Sequence, residues 1–473
     1  MGVTNYVVQP QDWDERGKGV KNDRLYALAL CQRLDRYTRG GRGGRSQVPP
    51  LPLCKYSCLD SSDGVCCALP VPSSLRLYFL CIPLACPCGL QAAPEGPPIG
   101  LAGLAPGFTQ HVINAQSTYC ACAVDDVNAD GRPDIVCGAY WYEAPGWERH
   151  QVREIERIRG RFDGYAHLMM DVDGDGDRDV ITVNYRSASM QWFEHPSDLT
   201  REWDRHYIDL PGPMETGRLH DIDEDGRDDI LPNGANFAAW WRAVPEPAAR
   251  GSRGPRLSFV RQELPPEVQG HGLGFGDIDG DGRGDILAQK GWLAAPEDRL
   301  KGTWTWHADW DLTRASIPML PQDVDGDGDT DVIWSSAHDY GIFWMEQGRD
   351  PAGARIWTTH TIDGGWSQSH ALLWGDLDGD ATKELIAGKR YMAHDGRDAG
   401  ATDPLVLCRY QYDPAGKTWL KHSLTDGGIV GFGLDPKLED LDQDGDLDLI
   451  CPGRTGLYWL ENRLRQPKAN RPK

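Results

Sequence analysis

Seven copies of one short acidic motif punctuate residues 125–448, and they restrict the fold more than any other feature. The copies read DDVNADGRPD (125–134), DVDGDGDRD (171–179), DIDEDGRDD (221–229), DIDGDGRGD (277–285), DVDGDGDTD (323–331), DLDGDATKE (376–384) and DLDQDGDLD (440–448). Their first acids are 45, 50, 56, 46, 53 and 64 residues apart. Repeats of this period are built as stacked units or propeller blades, because one unit cannot bury a core alone.

Each copy has the chemistry of a calcium loop. Oxygen side chains stand at positions 1, 3, 5 and 9, so alternate residues converge on one point. Position 6 is the glycine of a sharp turn, and position 7 offers a carbonyl. Hard oxygen donors in a flexible loop suit Ca²⁺ better than Mg²⁺. The expected ligands are Asp126, Asn128, Asp130 and Asp134, then Asp171, Asp173, Asp175 and Asp179, then Asp221, Asp223, Asp225 and Asp229. Asp277, Asp279, Asp281 and Asp285, then Asp323, Asp325, Asp327 and Asp331, continue the series. Asp376, Asp378, Asp380 and Glu384, then Asp440, Asp442, Asp444 and Asp448, complete it. No loop has an acid at position 12, which excludes an EF-hand. The sixth copy has Ala381 where glycine is expected, so weaker binding is expected there. Seven Ca²⁺ ions would bring the formal net charge from −22 to −8. That negative balance excludes a phosphate-binding surface, and so a nucleic-acid partner.

The segments between loops repeat as well. Short apolar runs such as DIVCGAYW and DVITVNY follow the loops and read as strands. WYEAP (141–145), WFEHP (192–196), FWMEQ (343–347) and YWLEN (458–462) form an aromatic repeat. WERHQV (147–152), WDRHYI (203–208), WTTHTI (357–362) and WLKHSL (419–424) share W-x-x-H. Four strands per unit and seven units predict an all-β, seven-bladed propeller over 107–463, with the acidic loop between first and second strand. FTQHVI (108–113) matches the W-x-x-H strand but precedes the first loop, so it is expected to complete the last blade. The D-x-D-x-D-G-x-x-D loops between strands resemble those of the FG-GAP or VCBS repeat propellers, which include integrin α-subunit heads. The resemblance implies the fold; such propellers serve adhesion, carbohydrate binding or lyase chemistry.

Histidines separate these uses. Of thirteen, His111, His150, His206, His307, His360 and His422 belong to the W-x-x-H strand or its variants, and His195 to the aromatic repeat. His167, His220, His271, His338, His370 and His394 belong to no repeat. In a propeller the first strand of each blade lines the channel and runs toward its loop. His271 and His370 lie six residues before their loops, as do Glu215, Tyr165 and Cys120. His167 lies four before its loop, on the same side of a period-2 strand. His338, Lys290, Lys389 and Arg390 follow second strands. One channel mouth is therefore expected to gather His167, His271, His338, His370, Lys389, Arg390 and His394 as working residues. Tyr165, Glu215 and Lys290 are expected to contact ligand there, with His338. Imidazoles in such number suit a transition metal such as Zn²⁺ or acid–base work. Solvated channel linings are also polar, so a non-catalytic channel stays open as a reading. Cys120 and Cys122 stay open as metal ligands or buried thiols.

The segment 367–398, SQSHALLWGDLDGDATKELIAGKRYMAHDGRD, resembles the propeller part of the aldos-2-ulose dehydratase/isomerase family. That resemblance implies a keto-sugar substrate, with His370, Lys389, Arg390 and His394 at the sugar site. The fungal enzyme also carries cupin and lectin-like domains, so the likeness concerns the propeller alone. The expected function is an exported calcium-binding propeller that takes a carbohydrate or sugar-derived ligand, with carbon–oxygen lyase activity as its enzymatic form. The alternative is a non-catalytic adhesion or protein-interaction scaffold.

The first 95 residues read differently. They hold eight of the thirteen cysteines and the run RGGRGGR. Residues 75–93 have the shape of a secretory signal: Arg76, an apolar run, then small residues near Ala92. This predicts a secreted, periplasmic or cell-surface protein without a transmembrane span. Residues 1–74 read as a disordered tail or as sequence upstream of the true start. Lipidation at Cys86 is the alternative, and 464–473 reads as a basic tail.

Overall fold

The computed structural model describes residues 104–464, apart from 156 and 248–253. The segments 1–74 and 75–93, Cys86 with them, and all of the basic tail after residue 464 lie outside the described residues.

The repeat folds into seven four-stranded antiparallel sheets, arranged as the blades of a propeller. The innermost strands are Cys122–Asp125, Ala166–Met170, Met214–His220, Leu273–Gly276, Leu320–Gln322, Ser369–Gly375 and Lys437–Glu439. In every blade an acidic loop joins this strand to the second. Blade seven takes its outer strand from the other end of the chain: Phe108–Asn114 pairs with Gly456–Asn462, Phe108 opposite Asn462. No α-helix occurs among the described residues; two short 3₁₀ turns lie at Pro266–Val268 and Ala393–Gly396.

Packing explains the sequence pattern. The second strands, such as Asp134–Cys137, Asp179–Val183 and Asp331–Ser335, are buried along their whole length. Both faces are covered by neighbouring blades, so these strands are continuously apolar rather than alternating. Seven apolar clusters form, one for each pair of neighbouring blades. The seam between blades seven and one packs Leu441, Ile450 and Leu457 against Cys122, Ile135 and Tyr142, all of them buried.

The W-x-x-H histidines are architectural. Trp141 stacks on His150 at 4.3 Å, Trp192 on His206 at 4.2 Å, and Trp459 on His111 at 4.1 Å. Trp292 with His307 and Trp344 with His360 repeat this. A third-strand glutamate then holds the imidazole: Glu143 holds His150 at 2.9 Å, Glu194 holds His206 at 3.0 Å, and Glu346 holds His360 at 2.7 Å.

The loop acids already carry structure. In six blades the position-9 aspartate accepts two backbone N–H groups, from loop position 2 and from the third strand. Asp179 takes those of Val172 and His195, both at 2.8 Å; Asp448 takes those of Leu441 at 3.1 Å and Asn462 at 2.7 Å. These carboxyls are fully buried staples. Blade six departs. Glu384 accepts only from Leu377, and its other oxygen meets the guanidinium of Arg409, which also donates to Asp378 at 2.7 Å. By register Arg409 fills the slot held by Trp141, Trp192, Trp292, Trp344 and Trp459 in other blades.

Candidate functional site

Four side chains meet where the inner strands begin, at the end opposite the acidic loops. Glu215, His271 and His370 come from the six-before position of blades three, four and six; His338 follows the second strand of blade five. Each offers one ligand atom, and these atoms lie within 4.8 Å of one another. Nε2 of His271 is 3.1 Å from one oxygen of Glu215, and Nε2 of His370 is 3.2 Å from the other. His370 is fully buried, and His338 is 4% exposed.

Hydrogen bonds on the far side fix the tautomers. His271 donates from Nδ1 to the Ala315 carbonyl at 2.6 Å. His338 donates from Nδ1 to the Asp398 carboxylate at 2.8 Å. Both rings therefore carry a proton on the outward Nδ1 and turn Nε2 inward. Those two nitrogens face each other at 3.0 Å. Burial and the neighbouring His271 push His338 down to about 4, and burial pushes His370 down to about 3. Burial raises Glu215, but His271 and His370 outweigh it and hold the carboxyl well below the usual range. The arrangement sets one carboxylate, held in its ionised form, against three imidazoles. Three imidazoles and one carboxylate converge there, donors that a metal takes up in their deprotonated form. Three imidazoles and one carboxylate suit a divalent transition metal rather than Ca²⁺.

Asp398 ties two histidines together. It accepts from His338 and, at 3.0 Å, from His394, whose ring lies parallel to His338 at 4.5 Å. It belongs to a strained segment: Met392, His394 and Asp395 all have left-handed backbone angles, at φ 49°, 47° and 58°. Such conformations persist only where surroundings impose them. Gln368, buried, does so: its amide donates to the Ala399 carbonyl at 3.0 Å and its carbonyl oxygen accepts from Ala393 N–H at 3.3 Å.

Beside the four-residue group is a pocket of about 340 Å³. Cys120, Tyr165 and Leu434, the six-before residues of blades one, two and seven, line it. Arg390 belongs to both: it lines the pocket, and its Nη1 is 3.7 Å from Glu215.

The structure does not bring every expected residue here. His167 is buried against Arg153, with its Nε2 3.3 Å from Nη2 of Arg153, and burial pushes it down to about 3. It lies two residues deeper along its strand than the six-before level, so it misses the group. Lys389 is sealed in: its ammonium donates to the Ser367 carbonyl, the Ser367 hydroxyl and the Gly400 carbonyl at 3.2, 2.9 and 2.7 Å. It clamps the 390–403 segment from beneath. Lys290 is exposed in a turn. His220 stacks on Phe275. Asp398 and the Ala315 carbonyl were not foreseen: neither occupies a repeat position. The five propeller cysteines are all free thiols.

In the acidic loops, Asp171, Asp173 and Asp179 form one group able to hold a cation, and Asp277, Asp279 and Asp285 another. Asp221, Asp223 and Asp225 form a third, though in blades three and six an arginine already bridges two of the acids. Arg242 pairs with Asp223 and Asp225, and Arg409 with Asp378 and Glu384.

Comparison with known proteins adds the following. Residues 323–387 match the family model of the FG-GAP-like repeat. No curated protein matches the chain in sequence. Similar solved structures include an Agrocybe aegerita lectin that recognises non-reducing terminal N-acetylglucosamine. It is 16% identical with a TM-score of 0.42, over 73% of this chain and 86% of that one. Another is a candidate 6-phosphogluconolactonase from Bacteroides uniformis, 14% identical with a TM-score of 0.36, over 66% of this chain and 82% of that one. At this level of likeness neither says what this chain binds. The chain thus carries an FG-GAP-like repeat at residues 323–387, within a propeller of seven four-stranded blades.

Proposed function

We propose that this propeller holds one divalent transition metal through Glu215, His271, His338 and His370, and uses it on a carbohydrate-derived ligand in the adjoining pocket. The reaction class is carbon–oxygen lyase chemistry on a keto-sugar. The observation that carries the reading is the convergence of outward-protonated imidazoles and an ionised carboxylate, with Nε2 of His271 and of His338 facing each other at 3.0 Å. A bound metal of this kind polarises a carbonyl or hydroxyl oxygen.

The chain's own residues supply the rest. Asp398 and the Ala315 carbonyl aim the two imidazoles, as outer partners of metal-bound histidines do. Arg390 adds a fixed positive charge beside the site, where an enolate oxygen formed by loss of the proton next to a carbonyl would need it. Loss of the β-hydroxyl as water then leaves a conjugated enone. In the same reading the all-acid loops hold Ca²⁺, which relieves the repulsion among their carboxylates, and residues 75–93 direct export. No helix among the described residues is long and apolar enough to cross a membrane.

The test is ultraviolet absorbance. Protein loaded with Zn²⁺ or Mn²⁺ and mixed with keto-sugars should generate the enone band, and His370→Ala should abolish it. A loaded wild-type protein that yields no enone while binding the sugars would leave a binding propeller and end the lyase reading.

A further inference from the structure

The pocket beside the four-residue group is cationic in a strongly anionic protein. Arg157, Arg161, Arg390 and Arg454 line it, within a chain of formal charge −22. One carboxylate lines it, Asp163, and both its oxygens are taken by the backbone N–H groups of Arg186 and Ser187, at 2.8 and 2.7 Å. Asp395 pairs from outside with Arg161 and Arg454. With Glu215 3.7 Å from Arg390 counted as well, one positive charge remains in surplus. Arg390 is 5% exposed, and its Nε and Nη1 have no hydrogen-bond acceptor. A buried guanidinium left so is costly unless an anion completes it.

The acidic loops do not cancel this field. They lie about six strand residues away, roughly 20 Å at the strand rise, which is about two Debye lengths at physiological salt. Aromatic rings form part of the remaining wall: Tyr119 and Phe162, 5.1 Å between centroids, and Tyr165. At about 340 Å³ the pocket is at the small end of the range for ligand sites.

We propose that the ligand is a sugar acid. Its carboxylate lies against the arginines, where planar forks match a planar anion, and its hydroxyl or carbonyl oxygens reach toward Glu215, His271, His338 and His370. This names the substrate class for the site proposed above and rests on that reading for the metal end only.

The experiment is calorimetric titration of the full chain, metal-stripped and then Zn²⁺-loaded. The probes are D-galacturonate and D-glucuronate against D-galactose and D-glucose, which differ only in the oxidation of C6. The expected result is at least tenfold tighter binding of the uronates in the metal-stripped protein, strengthened by Zn²⁺. Arg390→Met should remove that preference. Arg157→Gln, at an exposed position that a fold tolerates, should reduce it severalfold. Equal binding of acid and neutral sugar, or an unchanged preference in both variants, overturns the proposal. Tighter binding of D-glucose 6-phosphate than of either uronate also overturns it, in favour of a phosphate site. A preference for uronates that Zn²⁺ leaves untouched retains the carboxylate assignment and counts against the metal instead.

Discussion

Blade six should stand without calcium, because Arg409 supplies its cation. The arginine side chain is 11% exposed and the Glu384 side chain fully buried. Removing one partner of a buried ion pair costs about 3–5 kcal/mol. Here the lower end applies. Burial already lifts Glu384 to about 7, so near neutral pH it can take up a proton rather than remain charged and unpaired. Arg409→Ala should therefore lose about 3 kcal/mol in chelator. At about 2 cal/mol/K of unfolding entropy per residue, that is a fall of about 4 °C in Tm for a propeller of this size. Excess calcium should restore much of the loss, since the vacated acids then bind it; a hundredfold excess over Kd contributes about 2.7 kcal/mol. The assay is urea denaturation at pH 7, followed by tryptophan fluorescence, with and without calcium. Adding Ala381→Gly and Glu384→Asp to Arg409→Trp should recreate the loop of the other blades and gain one bound calcium. An Arg409→Ala protein as stable as wild type in chelator would refute the reasoning. So would wild-type protein that binds seven calcium ions.

Two further outcomes are expected. Burial raises Asp134, Asp285 and Asp331 to about 6, and Asp179, Asp229 and Asp448 to about 7. In chelator the folded chain thus keeps protons that the unfolded chain, titrating near pH 4, has lost. Stability should fall as pH rises from about 4 to 7, so Tm should be higher at pH 5 than at pH 7.5. Calcium, binding the ionised loops, should flatten or reverse that slope; parallel Tm curves with and without calcium would count against loop binding. Separately, Asp398→Asn should weaken metal affinity about tenfold or more while the fold stays intact. Competition with a chelating dye reads this directly, and an unchanged affinity would leave Asp398 a purely structural residue.

The propeller was legible because its repeats are physical. Each loop needs acids at alternate positions, each second strand is buried on both faces, and four of the Trp–His stacks carry a glutamate partner. The sequence also placed Glu215, His271 and His370 at one level by counting back from the loops, since strand length fixes height in the channel. It placed His338 at the same mouth because that residue follows a second strand, not by a count from a loop. Nor could counting show that Lys389 points inward under Gly400, or that His167 lies deeper, against Arg153. Asp398 left no signal: its role depends on a segment held in left-handed backbone conformations by Gln368, more than twenty residues away in sequence. The Trp-to-Arg exchange at Arg409 was visible in principle. It accompanies Ala381 and Glu384, the two other departures of that blade, and only the register shows that all three belong to one substitution of guanidinium for cation.

The central claim is the metal. Elemental analysis of the chain, purified without chelator or histidine tag, should find one transition-metal ion per molecule in addition to calcium. His271→Ala with His338→Ala should lose that ion and keep the calcium and the β-sheet circular dichroism. A wild-type chain that takes up no Zn²⁺, Mn²⁺ or Fe²⁺ on loading, or a double variant that holds as much as wild type, would contradict the account.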